Sequence, residues 1–111
     1  MRQRSADVDE FVKVARIEDI SESEPLGVET LDGEKICLVR VDDVVYALQD
    51  RCSHRDFPLS SGQIGDHQIE CAWHGARFDV TNGRALCLPA IRNVRVYEVK
   101  VENGDVFVAV T

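Results

Sequence analysis

Along most of the chain, apolar and polar positions alternate with a period of two. Phe11-Val12-Lys13-Val14-Ala15-Arg16-Ile17 alternates apolar with polar or small residues, and Val94-Arg95-Val96-Tyr97-Glu98-Val99-Lys100-Val101 alternates cleanly. A period of two puts successive side chains on opposite faces of a strand. Lys35-Ile36-Cys37-Leu38-Val39-Arg40-Val41 is a mostly apolar, β-branched run. Asp42-Asp43 then turns the chain into Val44-Val45-Tyr46-Ala47-Leu48. Asn103-Gly104 is a favoured hairpin dipeptide, and Asp105 to Val110 is its return strand. Asp32-Gly33 and Asn82-Gly83 mark two further turns. Helix signals are nearly absent, and Asp19 to Pro25 suits a helical turn or a loop. The pattern predicts about eight to ten short strands in antiparallel hairpins, an all-β sandwich or open barrel.

The middle of the chain departs from this regularity. From Gln49 to about Pro89 it holds all three His, three of the four Cys, the only Trp and two of the three Pro. At 111 residues there is room for one core and not for two. The expected organisation is a single domain with a β-rich base over about 10–49 and 88–111. A small inserted unit with its own chemistry spans about 50–87, and residues 1–9, polar and charged, are expected to fray.

Composition narrows the function classes. Hydrophobic residues make up 44% and charged residues 30%, which is the balance of a globular chain. Thirteen Lys and Arg against twenty Asp and Glu leave a formal charge of −7. That argues against a nucleic-acid surface and against docking on anionic lipid. It leaves open steering toward a basic protein partner. There is no apolar run of about 18 residues, so no membrane span is expected. The start, Met1 to Asp7, lacks an apolar segment of the signal-peptide kind, and the expected location is the cytoplasm. In that reducing compartment four cysteines read as metal ligands, redox groups or core residues in preference to a disulfide frame.

Two pairs carry the chemistry: Cys52-Ser53-His54 and Cys71-Ala72-Trp73-His74, separated by sixteen residues. Asp56 and Pro58 follow the first pair and Gly75 the second, which sets each on a tight loop. Gly65-Asp66 suits the hairpin turn between them, with His67 to Glu70 as the strand leading into the second loop. Two sulfur and two nitrogen donors fit a closed tetrahedral Zn²⁺ site. They also fit a two-iron cluster with both Cys on one iron and both His on the other. The order Cys, His, Cys, His differs from the zinc-finger order, in which both Cys sit on one knuckle and both His on a helix.

The stretches Cys52-Ser53-His54-Arg55-Asp56-Phe57-Pro58-Leu59 and Cys71-Ala72-Trp73-His74-Gly75-Ala76-Arg77-Phe78-Asp79 resemble the Rieske [2Fe–2S] family. Leu88-Pro89-Ala90 is similar to the family's proline-containing third loop, which covers the cluster, although the second proline often found a few residues later is absent from Ile91-Arg92-Asn93. The resemblance runs from about Phe11 to Val110. It implies a Rieske-type antiparallel fold with a cluster-binding subdomain and one [2Fe–2S] cluster per chain, with Cys52 and Cys71 on one iron and His54 and His74 on the other. The family's respiratory and photosynthetic members place a disulfide-forming Cys in each ligand loop, where this chain has Phe57 and Trp73. They place Ser and Tyr hydroxyls beside the cluster, where this chain has Ala76 and Phe78. Donors to cluster sulfur raise the potential. Without them, and with Asp56 adding negative charge, the potential is expected near the low end of the Rieske range, on the order of −150 mV. The Asp56-Phe57 pair resembles the small ferredoxins of bacterial aromatic-ring dioxygenases. The resemblance therefore implies a one-electron carrier, itself not an enzyme, between an NAD(P)H-dependent flavin reductase and a terminal non-haem iron oxygenase. A monomer is expected.

Plainer roles fit several residues. Cys37 and Cys87 read as packing, His67 as surface, Trp73 as packing under the ligand loops, Asp56 as a turn former and Asp79 as an acceptor that fixes its loop. Phe57, Pro58, Leu59, Trp73 and Pro89 are expected to form an apolar collar around the cluster. Two other functions stand beside the oxygenase carrier. One is a Rieske redox subunit in another pathway, of the nitrite reductase small-subunit type or linked to Fe–S assembly. The other is a structural zinc-binding interaction module.

Overall fold

A computed structural model describes residues 11–53, 57–72, 75–88 and 92–109. The strands are β1 (Phe11–Arg16), β2 (Leu26–Glu29), β3 (Lys35–Val41), β4 (Val44–Gln49), β5 (Gln63–Gly65), β6 (Gln68–Glu70), β7 (Arg77–Asp79), β8 (Ala85–Cys87), β9 (Val96–Tyr97), β10 (Val99–Glu102) and β11 (Asp105–Ala109). Short 3₁₀ turns at Ile17–Asp19 and Leu59–Ser61 are the helical segments among the described residues. The strands form three antiparallel sheets with the orders β1-β11-β10, β2-β3-β4-β9 and β5-β6-β7-β8. The expected all-β antiparallel architecture is therefore present. No helix among the described residues is long and apolar enough to cross a membrane.

β3 explains how the sheets share a core. Ile36 and Leu38 belong to one buried apolar cluster, with Val45, Ala47, Tyr97, Val106 and Val108. Cys37 and Val39 belong to another, with Leu48, Leu59, Ile69, Phe78 and Val80. Successive side chains of a strand point to opposite faces, so β3 is buried on both. That is why Lys35–Val41 is apolar nearly throughout and does not alternate: neither face meets water. β4 repeats the arrangement, with Val45 and Ala47 on one side and Tyr46 and Leu48 on the other.

Three local features differ from the sequence expectation. Val94 to Val101 does not form one strand. The chain changes sheet at Glu98: β9 pairs with β4 (Ala47 opposite Tyr97) and β10 with β11 (Val99 opposite Val108). The Glu98 carbonyl accepts the Ala109 N–H at 3.0 Å across this corner. The turn expected at Gly65-Asp66 lies one residue on, at Asp66-His67, with φ of 50° and 60°. Asp42-Asp43 adopts the same left-handed pair, at 52° and 66°, the backbone of a type I′ hairpin turn. The described strands number eleven, more than expected, because β5 to β8 are three residues each and too short to show a period.

Candidate metal centre

The first ligand loop leaves β4 and is anchored before it begins. The Asp50 N–H donates to the Lys35 carbonyl at 3.0 Å. The Asp50 carboxylate accepts the Ser60 N–H and the Ser60 hydroxyl, both at 2.7 Å, which binds the start of the loop to the 3₁₀ turn after it. Gly27 of β2 makes room for this contact, since a Cβ there would lie 2.7 Å from Ser60 Oγ. Cys52 follows, and its N–H donates to the Phe57 carbonyl at 2.8 Å.

The second loop is built the same way. It follows β6, and the Cys71 N–H donates to the Ala76 carbonyl at 2.7 Å. In each loop the cysteine amide therefore binds the carbonyl five residues on. Gly75, at φ 74°, provides the left-handed residue that the second closure needs. Cys52 and Cys71 are 2% and 1% exposed and lie in one apolar cluster with Leu59, Ile69, Ala76 and Phe78. The structure thus brings the two expected sulfur ligands into one buried environment. His54 and His74, the expected imidazole ligands, lie outside the described residues, as do Arg55, Asp56, Trp73, Pro89, Ala90 and Ile91.

Both ends of the third loop are pinned near the first two. The Ser53 hydroxyl donates to the Arg92 carbonyl, the Ala85 N–H to Asn93 Oδ1 at 2.9 Å, and the Val94 N–H to the Gly83 carbonyl at 2.8 Å. Gly83 is required there, because a Cβ would lie 2.1 Å from the Val94 oxygen. Cys87 Sγ rests 3.7 Å from the Gly75 carbonyl.

Several expected roles change with these positions. Leu59 is fully buried in the core and so cannot belong to an exposed collar, whereas Pro58 is exposed and Phe57 half-buried. Cys87, expected to pack, is exposed. β8 is three residues long, and nothing in so short a run fixes which face a side chain takes. Leu88, 76% exposed, and Leu86 are apolar surface beside the ligand loops that no sequence signal separated from core. Cys37 is fully buried, as expected, and burial, followed by the nearby Asp50 charge, pushes its thiol pKa well up. His67 stands half-exposed, its Nε2 3.8 Å from Asp42 Oδ2 and its ring edge-on to Tyr46. Asp79 accepts the Thr81 hydroxyl at 2.6 Å and the Thr81 N–H at 2.8 Å. These bonds hold its carboxyl below the usual carboxylate range and fix the β7–β8 loop as expected.

Two soft sulfur donors, withdrawn from water and set at the start of loops closed in the same way, suit an iron–sulfur group. The comparisons with known proteins agree with this chemistry. The Rieske [2Fe–2S] domain family matches residues 10–98. The ferredoxin component of the naphthalene 1,2-dioxygenase system of Pseudomonas putida is 37% identical over 98 residues, covering 88% of this chain and 93% of that protein. The ferredoxin of carbazole 1,9a-dioxygenase from Nocardioides aromaticivorans IC177 superposes with a TM-score of 0.84 at 35% identity, covering 89% of this chain and 96% of that one. A solved complex of reduced oxygenase and oxidised ferredoxin in carbazole 1,9a-dioxygenase contains a chain with a TM-score of 0.83 at 33% identity, covering 88% of this chain and all of that one.

Proposed function

Because the chain belongs to the Rieske [2Fe–2S] domain family, we propose that it is the one-electron ferredoxin of a multi-component aromatic-ring oxygenase system. It is an electron carrier and not a catalyst, like the relatives named as ferredoxin components. Its cofactor is a single [2Fe–2S] cluster. When bound, that group supplies reversible one-electron chemistry. Cys52 and Cys71 would hold one iron, and His54 and His74 the other.

The observation that carries this reading is the matched closure of the two loops, Cys52 to Phe57 and Cys71 to Ala76, over one buried apolar cluster. The backbone amide of each cysteine is fixed by a contact within the protein, so each loop is closed without help from a metal. Leu59, Ile69 and Phe78 exclude water beneath the sulfurs. Ala76 and Phe78 bring no hydroxyl to that space, which supports a potential at the low end of the Rieske range, on the order of −150 mV.

In this proposal the terminal non-haem iron oxygenase receives the electron and an NAD(P)H-dependent flavin reductase provides it. The oxygenase side is supported by the complex of a similar ferredoxin with its oxygenase. The protein acts as a monomer in the cytoplasm. Residues 50–87 serve as the cluster-binding unit, on a base formed by about 10–49 and 88–111.

The deciding experiment is purification with metal analysis, spectroscopy and potentiometry. A red-brown protein with about two irons per chain and a rhombic EPR signal that arises only on reduction is expected. A colourless protein with one zinc per chain overturns the carrier reading. A strongly positive midpoint overturns the low-potential assignment alone.

A further inference from the structure

The formal charge of −7 is not spread evenly. Residues 50–95, which span the ligand loops and the third loop, contain six Lys and Arg against five Asp and Glu. The rest of the chain contains seven against fifteen. One end of the sequence organisation is thus slightly positive, at +1, while the remainder carries −8. An oxidised [2Fe–2S] group with two thiolate and two neutral imidazole ligands adds no net charge to this balance, since two ferric ions offset two sulfides and two thiolates.

Three cations converge beside the first ligand loop. Lys35, Arg51 and Arg95 line one groove of about 350 Å³, together with Glu34, Asp50 and Tyr97. Two acids share the groove, which leaves a formal charge of +1 on its lining, and both have partners within the protein. Glu34 accepts the Tyr97 hydroxyl and pairs with Arg95 at 3.6 Å, and both oxygens of Asp50 are taken by Ser60. The Arg95 guanidinium lies over the Tyr97 ring, 4.8 Å from its centroid, and its side chain remains 50% exposed. Arg51 directly precedes Cys52, and the Arg92 carbonyl holds the Ser53 hydroxyl, so the groove borders the loop that would carry the cofactor.

Resting on the electron-carrier reading, we propose that the electron-exchange end of this acidic protein is electropositive, and that the Lys35–Arg51–Arg95 groove receives a carboxylate-bearing segment of its redox-protein partner. Of the twenty acidic residues, only Glu34 and Asp50 are among the described residues that line this groove. At physiological salt, charges more than about 8 Å away are largely screened. Docking therefore senses the local sign. This placement differs from steering toward a basic partner, which the net charge leaves open.

Small redox probes read the local sign directly. Oxidised holoprotein is mixed with dithionite, whose anionic radical SO₂•⁻ gives up one electron to become SO₂, and, separately, with the cationic methyl viologen radical, which gives up one electron to become the dication, across ionic strengths of about 10 to 500 mM. The rate with the anion is expected to fall as salt rises and the rate with the cation to rise, with both slopes reversed in a Lys35→Glu, Arg95→Glu variant. An anion rate that rises with salt in the parent protein overturns the proposal. A second arm does not need the cofactor: titration of the folded chain with hexaglutamate at low salt, followed by amide NMR. Saturable shifts at Lys35, Gln49, Arg51 and Arg95 are expected, and loss of those shifts in a Lys35→Glu, Arg95→Glu variant with an unchanged circular dichroism spectrum. Absence of shifts in the parent overturns the groove. A protein that takes up no iron overturns the carrier reading instead and leaves the peptide arm to decide the groove.

Discussion

Phe78 and Ala76 are fully buried in the cluster that holds Cys52 and Cys71, so a hydroxyl introduced at either has few partners other than sulfur. Phe78→Tyr with Ala76→Ser should raise the midpoint potential. A hydrogen bond to a charged group contributes about 1.5 kcal/mol, or roughly 60 mV per hydroxyl for a one-electron couple. Potentiometric titration checks this, and an unchanged midpoint means that the side chains face away from the sulfurs. The remaining thiols should differ in reactivity. Cys87 is exposed, whereas Cys37 is buried with its pKa pushed up, and the thiolate is the nucleophile. Brief alkylation of the native protein should label Cys87 and spare Cys37, as read by peptide mass spectrometry. Cys37 was legible because its β-branched neighbours announced a buried strand. Cys87 was not, since a hydrogen bond to Gly75 and not a period fixes where it lies.

Among the elements, the β5–β6 hairpin offers a paired test. A Cβ on Gly62 would lie 1.9 Å from the Glu70 carbonyl oxygen, while one on Gly65 would meet nothing within 4 Å. Gly62→Ala should cost about 3 kcal/mol, because backbone cannot swing aside as a side chain can. Gly65→Ala should fall within about 0.5 kcal/mol of the parent. Denaturant unfolding of both variants measures the difference, and equal stabilities would refute the close crossing. Sequence marked Gly65 for a hairpin turn and singled out nothing at Gly62, because a close approach to a neighbouring backbone leaves no trace in the order of side chains. The matched loop closures were hidden for a related reason. The bonds from Cys52 to Phe57 and from Cys71 to Ala76 join backbone groups, and such bonds leave no mark in side-chain order. The candidate ligands Cys52, His54, Cys71 and His74 stand out in the sequence because metal chemistry restricts ligands to few residue types at set spacings. The sheet change at Glu98 did leave a mark: the apolar positions are Val94 and Val96 before it and Val99 and Val101 after it, so the period of two slips by one at Val96-Tyr97.

For the molecule as a whole, charged and hydroxyl groups set the pH limits of stability. Asp105 is held below the usual carboxylate range, first by its hydrogen bond from Arg16 and then by Lys13, and Asp79 by Thr81. A carboxyl whose folded pKa is depressed adds stability above its unfolded pKa of about 3.9, and that stability is lost as pH falls through the folded value. Tyr97 is shifted the other way, upward, by burial and by its bond to Glu34. Its contribution is complete below the unfolded pKa of about 10 and is lost as pH rises beyond it. Thermal melts should therefore be nearly flat between about pH 4 and pH 10 with respect to these three groups and fall outside that window. Asp105→Asn should blunt the acid limb and Tyr97→Phe the alkaline one, and limbs unchanged by either substitution would refute the assignment.

The two buried faces of β3 have a kinetic consequence. Ile36 and Leu38 close one cluster while Cys37 and Val39 close the one that holds Cys52 and Cys71, so neither side can open while the strand between them stays in place. Sub-global opening units are contiguous and cooperative, and here the shared strand joins both clusters into one. The β3 amides should be among the slowest to exchange with deuterium. Iron release on dilution into chelator should follow the global unfolding rate, which rises steeply with temperature. Retention of the cofactor then becomes a property of the whole fold, set as much by Val106 and Val108 at the far side as by the residues that touch it.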